Sequence, residues 1–191
     1  MPPVALMQVK KEMDYMFALV EENISLSFDA METEKLVSNE KIEANEAVID
    51  FTNGALTRFL IKLSSMVEQS DELVIGSYFH VLNDLERVGD HAENFYEIVA
   101  EMSSKNLNFS EKGRNDIKAM SDKVMQMLVI SKDAFDNLNK AELSMLDVFE
   151  EEIDAMKKEL TASHFSRLAE GDCSMEVSPY YSSTIAGLER V

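Results

Sequence analysis

The residues in this chain that could do chemistry are carboxylates, and they come in pairs. Glu46 and Asp50, Glu86 and Asp90, and Glu150 and Asp154 are each four residues apart, and Glu189 opens a fourth pair whose second member would fall past Val191. On a helix, positions four apart lie one above the other, so each pair aims two carboxylates the same way. Like charges placed so cost a helix about 0.2–0.5 kcal/mol. A multivalent cation converts that repulsion into coordination, and all-oxygen ligands suit hard ions such as Mg²⁺, Ca²⁺, Mn²⁺ or iron. Each pair sits beside an apolar position, Glu86 after Leu85 and Glu150 after Phe149, which predicts faces open to water or to an ion. Glu43 and Asp147 stand one turn earlier, and Glu93, Asn94 and Glu97 extend the polar face of the second pair. Two other readings stay open. With 36 acidic residues in the chain, such pairs also arise as plain solvated surface. Arg87 and Arg190 each follow one of these glutamates and offer an internal counter-charge.

Other chemistry finds little support. His80, His91 and His164 are preceded three residues earlier by Ser77, Val88 and Thr161, so none forms the Glu-x-x-His pattern of di-iron bundles. They read as surface or helix-packing histidines, with His91 a neighbour of the Asp90 carboxylate. Cys173 is the single cysteine, which excludes an intrachain disulfide and a Cys-based zinc site. It has no adjacent histidine in the chain and falls in a turn. There is no glycine-rich phosphate loop and no Ser/His/Asp pattern. The chain is read as not an enzyme: no catalytic residue is assigned, and no organic cofactor is expected.

Charge sets the class of partner. Eighteen basic residues against 36 acidic ones leave a net charge of −18, which disfavours nucleic acid and direct contact with anionic lipid. No apolar run approaches the roughly 20 residues that span a bilayer, and Met1-Pro2-Pro3-Val4 does not open a signal peptide. A reducing, cytoplasmic setting is expected.

The elements that must position the carboxylates are helices. The three prolines are Pro2, Pro3 and Pro179, there are six glycines, and methionine alone contributes 13 residues. Such a chain favours helix over sheet. Tyr78, Val81, Leu85, Val88, Ala92, Phe95, Val99 and Met102 step by threes and fours, as do Leu146, Phe149, Ile153, Met156 and Leu160. Ile42, Ile49, Leu56 and Leu63 recur at sevens. These seams predict six helices at about 6–33, 35–67, 71–103, 110–137, 140–170 and from 179 onward. Gly171 is the expected stop of the fifth helix, and Ser178 the expected N-cap of the sixth, ahead of Pro179.

The chain is a tandem duplication. Shifted by about 104 residues, Met16, Val20 and Ile24 fall on Met120, Val124 and Leu128. Glu46, Ile49 and Asp50 fall on Glu150, Ile153 and Asp154. Leu85-Glu86-Arg87-Val88 matches Leu188-Glu189-Arg190-Val191. The expected architecture is all-α: two three-helix bundles in tandem, residues 1–104 and 105–191. Two full copies would need about 208 residues, so the sixth helix is expected to be truncated relative to the third.

The segment Asn83-Asp84-Leu85-Glu86-Arg87-Val88-Gly89-Asp90-His91-Ala92-Glu93-Asn94 resembles the signature of PhoU-type phosphate-transport regulators, and Leu188-Glu189-Arg190-Val191 begins its second copy. The resemblance spans nearly the whole chain. It implies two three-helix bundles with multinuclear metal sites on Glu-x-x-x-Asp motifs. Those motifs map onto Glu46, Asp50, Glu86, Asp90, Glu150, Asp154 and Glu189. The implied cofactors are divalent or trivalent ions: Fe, Mg, Mn, Ca or Zn. The link Ser64-Ser65-Met66-Val67-Glu68-Gln69-Ser70-Asp71 lacks the proline usual in free-standing members. The stretch Pro3-Val4-Ala5-Leu6-Met7-Gln8-Val9-Lys10-Lys11-Glu12 resembles the junction after the membrane domain of bacterial Na⁺/phosphate cotransporters. The preferred expectation is therefore the cytoplasmic regulatory domain of such a cotransporter, tethered to the inner membrane. Its partners would be the transmembrane transporter domain of the same protein and a second copy in a homodimer. A free-standing regulator and a purely structural interaction module are the alternatives.

Overall fold

The computed structural model describes residues 2–36, 39–66, 69–137 and 140–191. They form six helices in chain order: α1 (Pro2–Thr33), α2 (Asn39–Ser64), α3 (Gln69–Ser104), α4 (Glu111–Asn137), α5 (Lys140–Glu170) and α6 (Ser178–Arg190). No strand occurs among the described residues. The second helix was expected from 35 to 67. It starts at Asn39 and ends at Ser64, and residues 37, 38, 67 and 68 lie outside the described residues.

The helices divide into two compact units. One takes 1–26 with 38–94, the other 27–37 with 95–191. The repeat boundary at 104 and 105 follows chain order. The packing boundary falls within α1 and α3, because these helices have 32 and 36 residues against 26 in α2. At 1.5 Å per residue they outrun α2 by roughly 10–15 Å.

In the first unit the expected seams are buried. Ile42, Ile49, Leu56 and Leu63 of α2 are all in the core, as are Leu85, Val88 and Ala92 of α3. At the start of α3 the buried residues are Ile75 and Leu82, whereas Tyr78 and Val81 of the expected register are half-buried. A polar contact sets the register of α1 on α2. Asn23 donates to the Ile42 carbonyl at 3.1 Å, and Asn45 donates to Asn23 Oδ1 and Glu22 Oε2, both at 2.8 Å. Asn23 and Asn45 are buried, so these bonds satisfy groups that would otherwise be costly there.

In the second unit α4, α5 and α6 pack on one another. The expected α5 seam is only partly realised: Ile153 is buried, whereas Leu146, Phe149, Met156 and Leu160 are half-buried. Leu146 and Phe149 lie toward the end of α5 that the 13-residue α6 does not reach. Helix ends are closed by left-handed residues. Gly171 (φ 80°) stops α5 as expected, with the Asp172 N–H reaching the Arg167 carbonyl at 2.9 Å. Asn106 (φ 54°) does the same after α3, with the Leu107 N–H on the Met102 carbonyl at 2.9 Å. Glu34 (φ 55°) follows α1, and its carboxylate accepts from the Phe109 N–H at 2.7 Å and from Arg114 at 2.9 Å.

A buried polar group seats α6. His164 stacks on Tyr181 with ring centroids 4.4 Å apart, and its Nε2 lies 2.9 Å from Ser178 Oγ. Asp116 accepts from Tyr181 at 3.0 Å and pairs with Arg167 at 3.0 Å. Burial first, then Arg167, holds the imidazole below its ordinary pKa. Two expectations change here. Ser178 is not a capping side chain, because its hydroxyl is taken by His164 and the N-cap position is Val177. Cys173 does have a histidine beside it, His164 Nδ1 at 3.8 Å, brought there by the turn after α5.

Gly187 on α6 lies against Phe95, and a Cβ there would stand 2.6 Å from the ring carbon Cε1. Phe95 is 1% exposed and cannot move aside. Glycine to alanine inside a helix ordinarily stabilises by up to about 1 kcal/mol. Gly187→Ala is expected to do the opposite, destabilising by about 1–3 kcal/mol through overpacking. Urea unfolding of the two proteins measures the sign.

Candidate metal centre

The first unit brings two of the expected pairs together. Glu46 and Asp50 come from α2, Glu86 and Asp90 from α3. Their exposure is unequal, and this departs from the expectation of open faces. Asp50 and Asp90 are exposed and Glu86 is half-buried, but Glu46 is only 7% exposed. Neither of its carboxylate oxygens has a hydrogen-bond partner. Gly89 makes this placement possible. A Cβ on residue 89 would lie 3.0 Å from Glu46 Oε2 and 3.2 Å from Oε1. With hydrogen there instead, the carboxylate rests against the backbone of α3. Asn45, fixed by its bonds to α1, holds α2 in the register that aims Glu46 at this spot.

The electrostatics follow from the geometry. Burial raises the Glu46 pKa from 4.5 to about 7, and the neighbouring Asp50, Asp90, Glu93 and Glu86 all push the same way. Glu86 is raised too, by burial and then by Asp90 and Asp50, with Arg87 opposing. Arg87 is exposed, and its opposing pull is the smallest of these causes. Four other carboxylates thus act on Glu46, and a buried carboxylate without a partner is among the costliest groups a fold can hold. An orphaned buried carboxylate, oxygen-only donors and a glycine that makes room fit a hard cation. As the side chains stand, no three His, Cys, Asp or Glu among the described residues converge closely enough to hold a metal ion.

The second unit repeats the pattern with a difference. Glu150, Asp154 and Glu189 line one cleft of about 190 Å³ beside Ile153 and Leu188. Glu150 and Asp154 are exposed, so the deep carboxylate of the first unit has no counterpart here. Glu189 pairs with Lys157 at 2.9 Å rather than with Arg190. The residue at the matching place in the first repeat is the neutral Asn53. Sequence reasoning missed Lys157 and Gly89. The signal for Lys157 was present in the 104-residue register, as a lysine opposite an asparagine.

Comparison with known proteins adds to this geometry. The PhoU domain model matches residues 13–99, the span that holds Glu46, Asp50, Glu86 and Asp90. The whole chain has the PhoU fold: it superposes on the crystal structure of PhoU from Pseudomonas aeruginosa with a TM-score of 0.91 at 17% identity, covering 100% of this chain and 91% of that one. It superposes on the phosphate transport system regulatory protein PhoU from Streptococcus pneumoniae with a TM-score of 0.84 at 20% identity, covering 100% and 89%. In sequence it is 24% identical over 190 residues to the phosphate-specific transport system accessory protein PhoU homolog 1 of Thermotoga maritima, covering 96% of this chain and 79% of that protein. No helix among the described residues is long and apolar enough to cross a membrane.

The raised Glu46 pKa sets a pH dependence for metal-free protein. The folded state keeps a proton that the unfolded chain releases near pH 4.5, and holds it up to about pH 7. Stability therefore falls as pH rises through this window and levels off above it. At about 1.4 kcal/mol per pKa unit the loss is roughly 3 kcal/mol. Glu46→Gln is expected to abolish this slope, as measured by thermal midpoints between pH 4.5 and 7.5 in chelator.

Proposed function

We propose that this chain is a PhoU-type regulator of phosphate transport whose first-unit carboxylate patch holds a multivalent cation. The observation that supports the cation is the buried, unpartnered carboxylate of Glu46 surrounded by four more acidic groups. Glu46, Asp50, Glu86 and Asp90 would hold the ion, with Glu93 at hand. The ion would supply the positive charge that lets Glu46 ionise while buried. Asp50 and Asp90, being exposed, are free to turn toward it. In the second unit Glu150, Asp154 and Glu189 would form a weaker site, because Lys157 already supplies part of the charge. Mg²⁺, Ca²⁺, Mn²⁺, Fe and Zn²⁺ all remain within this donor chemistry, with oxygen-only ligands favouring the harder ions.

The regulatory reading rests on the PhoU domain and on relatives named as accessory and regulatory proteins of phosphate transport systems. Those names support the free-standing regulator over the cotransporter domain. The likeness of residues 3–12 to a cotransporter junction supports the second. In either case the partner is a phosphate transporter, and the chain acts by binding rather than by catalysis.

A bound cation that prefers the folded state raises its stability. Thermal unfolding of the chain with Mn²⁺ is expected to shift the midpoint upward, and chelator to return it. The charge-removing double variant Glu86→Gln/Asp90→Asn is expected to lose that response. If the ion leaves the wild-type midpoint unchanged while the double variant is more stable in both conditions, the patch is tolerated surface repulsion. Regulation is tested separately, by phosphate uptake in cells with and without the gene. Loss of the chain is expected to leave uptake unrestrained at high external phosphate, and identical uptake at every phosphate level would refute the assignment.

A further inference from the structure

A second cluster of reactive groups lies in the unit that holds α4, α5 and α6, and the carboxylate pairs take no part in it. Cys173 sits in the turn that joins α5 to α6, half-buried, as a free thiol. Backbone bonds pin this turn. Gly171 takes φ 80°, the Asp172 N–H reaches the Arg167 carbonyl at 2.9 Å, and the Val177 N–H reaches the Ser174 carbonyl at 3.2 Å. The thiol is thereby brought back onto α5. Its Sγ lies 3.8 Å from His164 Nδ1 and 4.0 Å from the His164 carbonyl. His164 is 3% exposed, and its other ring nitrogen is 2.9 Å from Ser178 Oγ. With Nε2 donating to that hydroxyl, the Nδ1 lone pair faces the sulfur.

The thiol does not fill the space before it. A cavity of about 20 Å³ is lined by Cys173, His164, Arg167, Tyr181 and Ser110, with room for a single oxygen-sized group. Arg167 supplies the charge on its wall and is 5% exposed. Its Nη1 donates to Ser163 Oγ at 2.9 Å and its Nη2 pairs with Asp116 at 3.0 Å, but its buried Nε has no hydrogen-bond partner. Asp116 is already shared with the Tyr181 hydroxyl at 3.0 Å. A buried guanidinium nitrogen without an acceptor is costly, and an anionic oxygen in this cavity would satisfy it.

A thiol against a buried base, a cationic wall and a space for one oxygen are the parts of a peroxide-reactive cysteine. We propose that Cys173 takes one oxygen atom from hydrogen peroxide and holds it as a sulfenate in this cavity. His164 Nδ1 accepts the thiol proton. The thiolate attacks one peroxide oxygen, so the S–O bond forms and the O–O bond breaks. Sulfur gives up two electrons, and the second oxygen leaves as hydroxide, which recovers the proton from the imidazolium and departs as water. Burial, then Arg167, holds the imidazole below its ordinary pKa, so it passes that proton on readily. The new S–OH loses its own proton to solvent, with Arg167 favouring the anion. Cys173 is the single cysteine of the chain, so no intrachain disulfide consumes the sulfenate. Its return to the thiol takes two equivalents of an external thiol, by way of a mixed disulfide.

The test is the second-order rate of sulfenate formation with hydrogen peroxide in chelator, read by dimedone capture and mass spectrometry. The reference protein is Cys173→Ser/Met175→Cys. It moves the thiol along the same turn to a position that is 74% exposed and outside the cavity. Access alone favours the reference. The wild type is expected to react about tenfold faster all the same, with the adduct on Cys173. His164→Gln, which keeps a donor for Ser178, is expected to fall to the reference rate. Circular dichroism and the thermal midpoint report whether that variant is folded, and where it is not, the wild type against the reference decides. A wild type no faster than the reference overturns the proposal, as does a folded His164→Gln that reacts like the wild type. So does a Cys173 that outpaces the reference with iodoacetamide but not with peroxide, which would be an activated thiol without a place for oxygen.

Discussion

A carboxylate held against a helix backbone, out of water and without a donor, is a liability that the surrounding structure must either create deliberately or avoid. In the first unit it is created by three separate decisions of sequence. Asn45 ties α2 to α1. Gly89 removes the one atom on α3 that would keep Glu46 away. The neighbours of Glu46 are acids rather than lysines or arginines. The last two choices carry a cost when taken alone. Together they leave a buried carboxylate without a counter-charge, the charge that the proposed cation would supply.

The second unit shows what the same scaffold looks like once that demand is relaxed. The buried asparagine register of the first repeat is gone, with Met127 at the place of Asn23 and Phe149 at the place of Asn45. The carboxylates on α5 are exposed, and Lys157 sits on Glu189. Stability there is drawn instead from the core of α4 and from the His164, Tyr181 and Asp116 group that seats α6. The duplication preserved helix spacing and let the chemistry of the two units drift apart.

How much of this was legible in the sequence depends on the range of the interaction. Helical seams such as Leu85, Val88 and Ala92 were readable because a helix repeats within a few residues, and the stop at Gly171 because it needs only local backbone. The carboxylate pairs were readable for the same reason, and duplication singled them out from the other acids. The depth of Glu46 was not, because it is decided by a glycine on another helix. His164 beside Cys173 and Ser178 was missed because a turn, not a period, brings them together. The α5 seam was overcalled, since periodicity records what a helix could bury and says nothing of what its neighbours cover.

The lysine on Glu189 has a consequence for how the chain would answer a change in ion supply. Duplicated sites ordinarily invite a two-step titration, or a steep one if the halves communicate. Here one half carries its counter-charge covalently, on the chain itself, and cannot lose it by dilution. Under the proposed reading the other half would exchange with the medium at the lower ion concentration. Under the proposed reading such a chain would fill its first site well before the second responds, and Lys157→Asn, which copies the residue of the first repeat, is the single change that would bring the second step down toward the first.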